Sequence, residues 1–121
     1  MNPSPPQLFE PAWIGGMHLA NRLVRSATWE GMCTAEGRPT PELIALYRDL
    51  ARGGVGLITT GFTYVSPAGK PLPGTMGLYD DAYAAEMRAL CEAVHGEGGK
   101  IIIQLGHAGG QTRETLCGGQ P

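Results

Sequence analysis

Three short apolar runs in this chain break abruptly into small or polar residues, and this pattern constrains the fold more than any other feature. The runs are Arg22-Leu23-Val24-Arg25 leading into Ser26-Ala27-Thr28-Trp29-Glu30-Gly31, Val55-Gly56-Leu57-Ile58 into Thr59-Thr60-Gly61, and Ile101-Ile102-Ile103 into Gln104-Leu105-Gly106-His107-Ala108-Gly109. A strand looks like this when its body is buried and its carboxyl end opens into a site. Such endings on neighbouring parallel strands point to a ligand lying across the top of a sheet.

The segments between the runs read as helices. Thr40 can cap free amides, Pro41 suits the first helical position, and Glu42 favours the positive end of the helix dipole. Leu43, Ile44, Tyr47, Leu50 and Ala51 then recur at helical spacing, and Gly53-Gly54 stops the helix. Asp80 or Asp81 starts a second helix whose Tyr83, Met87, Leu90, Cys91 and Val94 line one side, ending at Gly96 or Gly98-Gly99. Val55 to Thr60 lacks polar alternation, as expected of a strand covered on both faces. Residues 61 to 79 read as one long Gly/Pro-rich loop, and the tail from Gly106 shows no periodicity.

Before the first run, Ala12-Trp13-Ile14 and Met17-His18-Leu19 flank Gly15-Gly16 and read as a β-hairpin turned by two positive-φ glycines. The order hairpin, β, α, β, α, β makes a parallel sheet, either open and doubly wound or part of a (β/α)8 barrel. A dinucleotide-binding open sheet would carry G-x-G-x-x-G after its first strand, and Ser26-Ala27-Thr28-Trp29-Glu30-Gly31 lacks it. Barrel geometry is favoured, although three strands cannot close a barrel of eight.

Composition narrows the function classes. The chain has 121 residues, 42% hydrophobic and 17% charged, enough for one domain with a modest core. Net charge is −2 with no run of Lys or Arg, so neither a nucleic-acid nor a membrane surface is expected. No apolar stretch approaches the roughly 20 residues of a membrane helix. Met1 to Pro6 has neither the basic start nor the apolar centre of a signal peptide, so a cytoplasmic protein is expected. Cys33, Cys91 and Cys117 form no CxxC pair, and free thiols in a reducing compartment are the expectation, with no metal site.

Several separated motifs then occur in register. Leu8-Phe9-x-Pro11, Leu19-x-Asn21-Arg22-x-Val24, Tyr47, Gly54-Val55-Gly56-Leu57-Ile58 and Gln104-Leu105-x-His107-Ala108-Gly109 resemble the old yellow enzyme family of FMN-dependent NADH:flavin oxidoreductases and ene-reductases. The resemblance runs from Leu8 to about Thr112. It implies an N-terminal hairpin (about 7–20) plus the first three βα units (about 22–121) of a TIM barrel that is incomplete in this chain, since a full barrel takes about 250 residues. It implies FMN over the strand ends and NADH or NADPH as reductant, with a small-molecule acceptor such as an activated alkene in the full-length enzyme.

By this resemblance the cofactor-binding residues are Ser26, Ala27, Thr28, Trp29, Phe62 and Gln104. The 26–29 turn contacts the isoalloxazine largely through backbone amides. The Gln104 side-chain amide bonds the pyrimidine edge, offering both donor and acceptor to an edge that presents both. Three departures stand out. Trp29 occupies the position where the family commonly has a flavin-tuning Thr or Cys, so either Thr28 or Trp29 faces the ring. Phe62 replaces a small residue, and Gly110 replaces an Arg. The family's His/Asn or His/His acceptor pair, its proton-donating Tyr and its phosphate-binding strands correspond to positions beyond residue 121. No catalytic residue is therefore assigned, and the isolated chain is expected to be inactive.

Plainer readings stand beside these. Ser26, Ala27 and Thr28 can be small fillers of a tight turn, while Tyr47, Tyr83 and Met87 are ordinary core. His18 and His95 are expected to face solvent, and His107 to orient its loop. An unpaired buried amide costs roughly 1–3 kcal/mol, so Gln104 at the end of an apolar run asks for a partner. Two other functions compete with an FMN oxidoreductase. One is a non-catalytic scaffold that self-associates, or takes a complementing chain, to cover its open sheet edges. The other is a flavodoxin-type domain, which the missing phosphate loop disfavours.

Overall fold

A computed structural model of the protein describes residues 3–4 and 7–119. The readings made on Met1, Asn2, Pro5 and Pro6, and on Gln120 and Pro121 of the tail, lie outside the described residues.

The N-terminal hairpin forms as expected, with β1 (Ala12–Ile14) antiparallel to β2 (Met17–Leu19) and Ile14 opposite Met17. Only Gly15 takes a positive φ, 55°, so the turn needs one such residue rather than two. Positive φ at the first central position alone is the type II′ pattern, which suits the strand twist.

The main sheet is parallel. Strand β3 (Val24–Arg25) pairs with the start of β4 (Leu57–Tyr64), and β6 (Lys100–Gly106) runs along the whole of β4. A two-residue strand, β5 (Met76–Gly77), pairs with the end of β4 at Thr63 and Tyr64. Helices α1 (Pro41–Arg52) and α2 (Ala84–His95) cover one face of this sheet. Leu43, Tyr47 and Ala51 of α1 and Met87, Leu90 and Val94 of α2 pack with Ile58 and Met76 into the core.

The signals that start and stop α1 act as expected. The Thr40 hydroxyl accepts from the Leu43 amide at 3.2 Å, and Pro41 occupies the first helical turn. At the other end Gly54, at φ 98°, lets its amide reach Ala51 O and the Val55 amide reach Leu50 O. That pair of bonds is the Schellman closure of orphan carbonyls. For the second helix the start differs from expectation: Asp80 caps a 3₁₀ turn, Asp81–Tyr83, and α2 itself begins after Tyr83 with no side-chain cap.

Three expectations need correction. The middle strand does not end at Thr60: it continues through Gly61 to Tyr64, so Phe62 stands on β4 rather than in a loop. The rest of the expected loop holds a 3₁₀ turn at Pro67–Gly69 and β5. The tail is also less irregular than read, with a 3₁₀ turn at Gly109–Gln111 and a short α3 (Glu114–Cys117). The cause of the first error is a β-bulge. The pairing steps from Thr59↔Ile102 to Phe62↔Gln104, so β4 spends three residues where β6 spends two. Glycine here marks a bulge, not a terminus.

The first strand is also less buried than expected. Val24 is 53% exposed, because the sheet face opposite the helices is open at this edge. Parallel partners share a face, so Val24, Phe62, Ile102 and Gln104 all lie on that open side.

Candidate flavin-ring cradle

The strand order β3-β4-β6 brings the three segments singled out from sequence side by side at the carboxyl end of the sheet. The 26–29 turn follows β3, Phe62 lies on β4 in the middle, and Gln104 pairs beside it on β6. Gln104 is exposed, and its side-chain amide has no partner among the described residues. Its backbone is held, since the Gln104 amide donates to Thr60 Oγ1 at 3.1 Å. A threonine hydroxyl thus replaces the ladder bond at the bulge.

The Thr28 hydroxyl donates to Ser26 O at 3.1 Å, which tightens the turn, and the backbone amides of Ala27, Thr28 and Trp29 have no acceptor among the described residues. The Trp29 indole donates to Thr75 Oγ1 at 3.1 Å and lies against Gly31, where a Cβ would come within 2.9 Å of the ring. Phe62 turns its ring onto Gly106, where an added Cβ would sit 2.4 Å away. The bulk that distinguishes Phe62 is absorbed by a glycine on the next strand.

His107 is fixed by its own loop. Its Nδ1 accepts from the Gly109 amide at 3.0 Å, and its ring fills the space a Cβ on Gly69 would need. His18 stacks edge-on with Trp13 at 4.8 Å in the hairpin, and His95 is exposed at the end of α2. The three cysteines are free. Burial, and secondarily the Glu30 carboxylate, push the Cys33 thiol up to about 12. A neutral thiol of that kind is a poor nucleophile.

The residues missed from sequence lie behind the cradle, on the helix side of the sheet. Arg25 donates to Glu30 at 3.0 Å, to Thr59 O at 3.0 Å, to Thr28 O at 3.4 Å and to Tyr47 Oη at 3.2 Å. Tyr47 Oη donates to Glu30 and accepts from the Gly61 amide at 3.0 Å. Burial and the Glu30 carboxylate hold the Tyr47 phenol well above its ordinary range, so it stays a donor. Tyr47 is core, as expected, but not merely core. A signal existed: a tyrosine on an otherwise apolar helix face must find a partner for its hydroxyl.

A cleft lies elsewhere. It has a volume of about 500 Å³ and is lined by Val65, Leu78, Tyr79, Asp80 and Asp81, none of them a cradle residue. The cradle is an open sheet surface rather than a closed cavity, so its geometry identifies it better than its volume does. Among the described residues no cluster of His, Cys, Asp or Glu could hold a metal ion, and no helix is long and apolar enough to cross a membrane.

The model of the NADH:flavin oxidoreductase / NADH oxidase family matches residues 7–117. The chain is 38% identical over 104 residues to the 4,4'-dithiodibutanoate disulfide reductase of Rhodococcus erythropolis, covering 86% of this chain and 25% of that protein. It is 38% identical over 115 residues to the NADH oxidase of Thermoanaerobacter brockii, covering 94% of this chain and 18% of that one. Among solved structures, the old yellow enzyme homologue from Zymomonas mobilis aligns with a TM-score of 0.86 at 31% identity, over 96% of this chain and 32% of that one. Morphinone reductase aligns with a TM-score of 0.84 at 32% identity, over 97% and 31% of the two chains. The chain therefore spans a third or less of the length of these relatives. Matched along almost all of its own length, it belongs to the NADH:flavin oxidoreductase / NADH oxidase family, the FMN-dependent NAD(P)H oxidoreductases that include the old yellow enzymes.

Proposed function

We propose that residues 7–119 supply part of the isoalloxazine site of an FMN-dependent NAD(P)H oxidoreductase, as a hairpin and three βα units of a (β/α)8 barrel. The observation that carries this reading is the open sheet face. Unpaired amides of Ala27, Thr28 and Trp29 and the unpaired Gln104 side chain flank Phe62 at one end of the sheet. This donor set fits a flavin ring, whose pyrimidine edge alternates acceptors and donor. Bound FMN would supply hydride transfer between a nicotinamide and an activated alkene or similar acceptor.

The chain's own residues have narrower tasks. Gln104 orients the ring by paired donation and acceptance. The 26–29 amides donate to its heteroatoms, with Thr28 rather than Trp29 facing the ring, because the Trp29 indole is engaged by Thr75. Phe62 contributes its backbone, its ring being seated on Gly106. No residue here takes a catalytic role, and His107 orients its loop. The three free cysteines suit a cytoplasmic setting.

Purified protein with added FMN tests this. A yellow protein whose flavin fluorescence is quenched on binding, with quenching lost in Gln104→Leu, is the expected result; a folded, colourless protein overturns it. NADH- or NADPH-dependent enone reduction by the 121-residue chain alone is expected to be negligible, and turnover at a level typical of enzymes would contradict that.

A second reading is favoured by one observation. Ile102 and Leu105 on strand β6 are 42% and 60% exposed, which suits a non-catalytic scaffold that covers this strand with another chain. Under that reading the protein associates but binds no flavin.

A further inference from the structure

The proposed ring contacts come from two segments that are not neighbours in sequence, so something must set the spacing between them. We propose that the bulge at Thr60-Gly61, clamped by Arg25, Glu30 and Tyr47, is the positioning element that sets the 26–29 turn and Gln104 relative to one another. This rests on the flavin reading above.

The connections are continuous. The Arg25 guanidinium holds a carbonyl from each side, Thr28 O of the turn at 3.4 Å and Thr59 O of β4 at 3.0 Å. The Tyr47 hydroxyl gives its one proton to Glu30 and receives the Gly61 amide and Arg25, which uses its full capacity of one donor and two acceptor sites. The turn also rests directly on the bulge, since a Cβ at Gly61 would lie 2.5 Å from Glu30 Oε2 and 2.6 Å from Thr28 O. From the bulge the chain of bonds passes to β6 through Thr60 Oγ1, which receives the Gln104 amide at 3.1 Å.

The bulge also decides which residue stands between the two contacts. Without its extra residue, Gly61 would pair with Gln104; with it, Phe62 does. A shift of one residue moves every later side chain to the opposite face. The charges that hold this arrangement are poorly suited to being a stability device. The Arg25 and Glu30 side chains are 16% and 11% exposed, and a buried ion pair often gains little over well-packed apolar residues. What the pair supplies is direction. The Arg25 fork fixes the Thr28 and Thr59 carbonyls at angles that an apolar filling would leave free, and Glu30 Oε1 receives both Arg25 and Tyr47 and so holds the fork and the phenol in place.

The test uses Tyr47→Phe and Thr60→Val in the full-length protein that carries this chain, with FMN as the probe. Each variant removes one hydroxyl from the bonded chain and changes volume little. The expected result is a rise of at least tenfold in the FMN dissociation constant, with a shifted absorption band of the bound flavin. In the apoprotein, amide hydrogen exchange at residues 26–30 and 59–63 is expected to quicken relative to α2. Arg25→Lys, which keeps the charge and loses the fork, is expected to behave in the same way. A purely structural role would lower the melting temperature of apo- and holoprotein together and leave the dissociation constant and spectrum unchanged; that outcome overturns the proposal. If Tyr47→Phe does not fold, Thr60→Val decides by the same measurements. Wild-type protein that binds no FMN refutes the flavin reading instead, and exchange in the apoprotein still decides whether the clamp orders both segments.

Discussion

Gly61 carries more of this site than its missing side chain suggests. It was legible as a strand end and proves to be the seat of a bulge, pressed against Glu30 and Thr28 at distances only a glycine permits. Gly61→Ala is expected to destabilise the protein by about 1–3 kcal/mol, because the Thr28 carbonyl is backbone and cannot swing away as a flexible side chain would. A urea denaturation curve measures it, and an unchanged midpoint would contradict the close approach. Cys33 offers a second residue-scale prediction. Burial raises its pKa from 9.0 to about 12, so the folded thiol stays neutral where the unfolded thiol ionises. Its contribution to stability is complete below pH 9 and is lost as pH rises from 9.0 toward about 12. At pH 8, Cys33 in the folded protein should alkylate at least about tenfold more slowly than in urea, as read by mass spectrometry of the Cys33 peptide.

At the scale of elements, what has a local cause could be read in advance. Helix α1 begins where a threonine can cap and a proline can fit, and it ends where glycine can take a positive φ. Thr40→Ala removes the cap and also the bond its hydroxyl donates to Met32 O at 2.6 Å. A loss of about 1 kcal/mol, up to about 2, is expected from thermal or urea unfolding. The hairpin and α2 were legible for the same reason. Strand β4 was misread because its last four residues, Gly61-Phe62-Thr63-Tyr64, begin with the commonest of turn residues. Only the partners on either side make them a strand. The Arg25–Glu30–Tyr47 cluster was illegible by the same logic: its members lie on β3, in the irregular segment after it and on α1, and no periodicity links them.

The whole molecule is a sheet with one face covered by helices and the other open. Ile102 and Val24 on that open face, together with Leu105, leave apolar surface in water along both outer strands. Exposed strand edges of this kind pair with further chain. Light scattering after size-exclusion chromatography is therefore expected to show the 121-residue protein above its monomer mass at tens of micromolar. A stable monomer would contradict this and would also weaken the scaffold reading. By itself the sequence determined the family, the order of the hairpin, the three main strands and the two long helices, and the segments that converge at the carboxyl end of the sheet. Each of these depends on residues within a turn or two of one another, or on motifs preserved in order. Tertiary structure alone decided the register of β4 on β6, the bulge that creates it, and the buried clamp behind it. Those depend on what Gly61 meets when Glu30 and Thr28 are brought against it, and contacts across thirty residues leave no local trace in the chain.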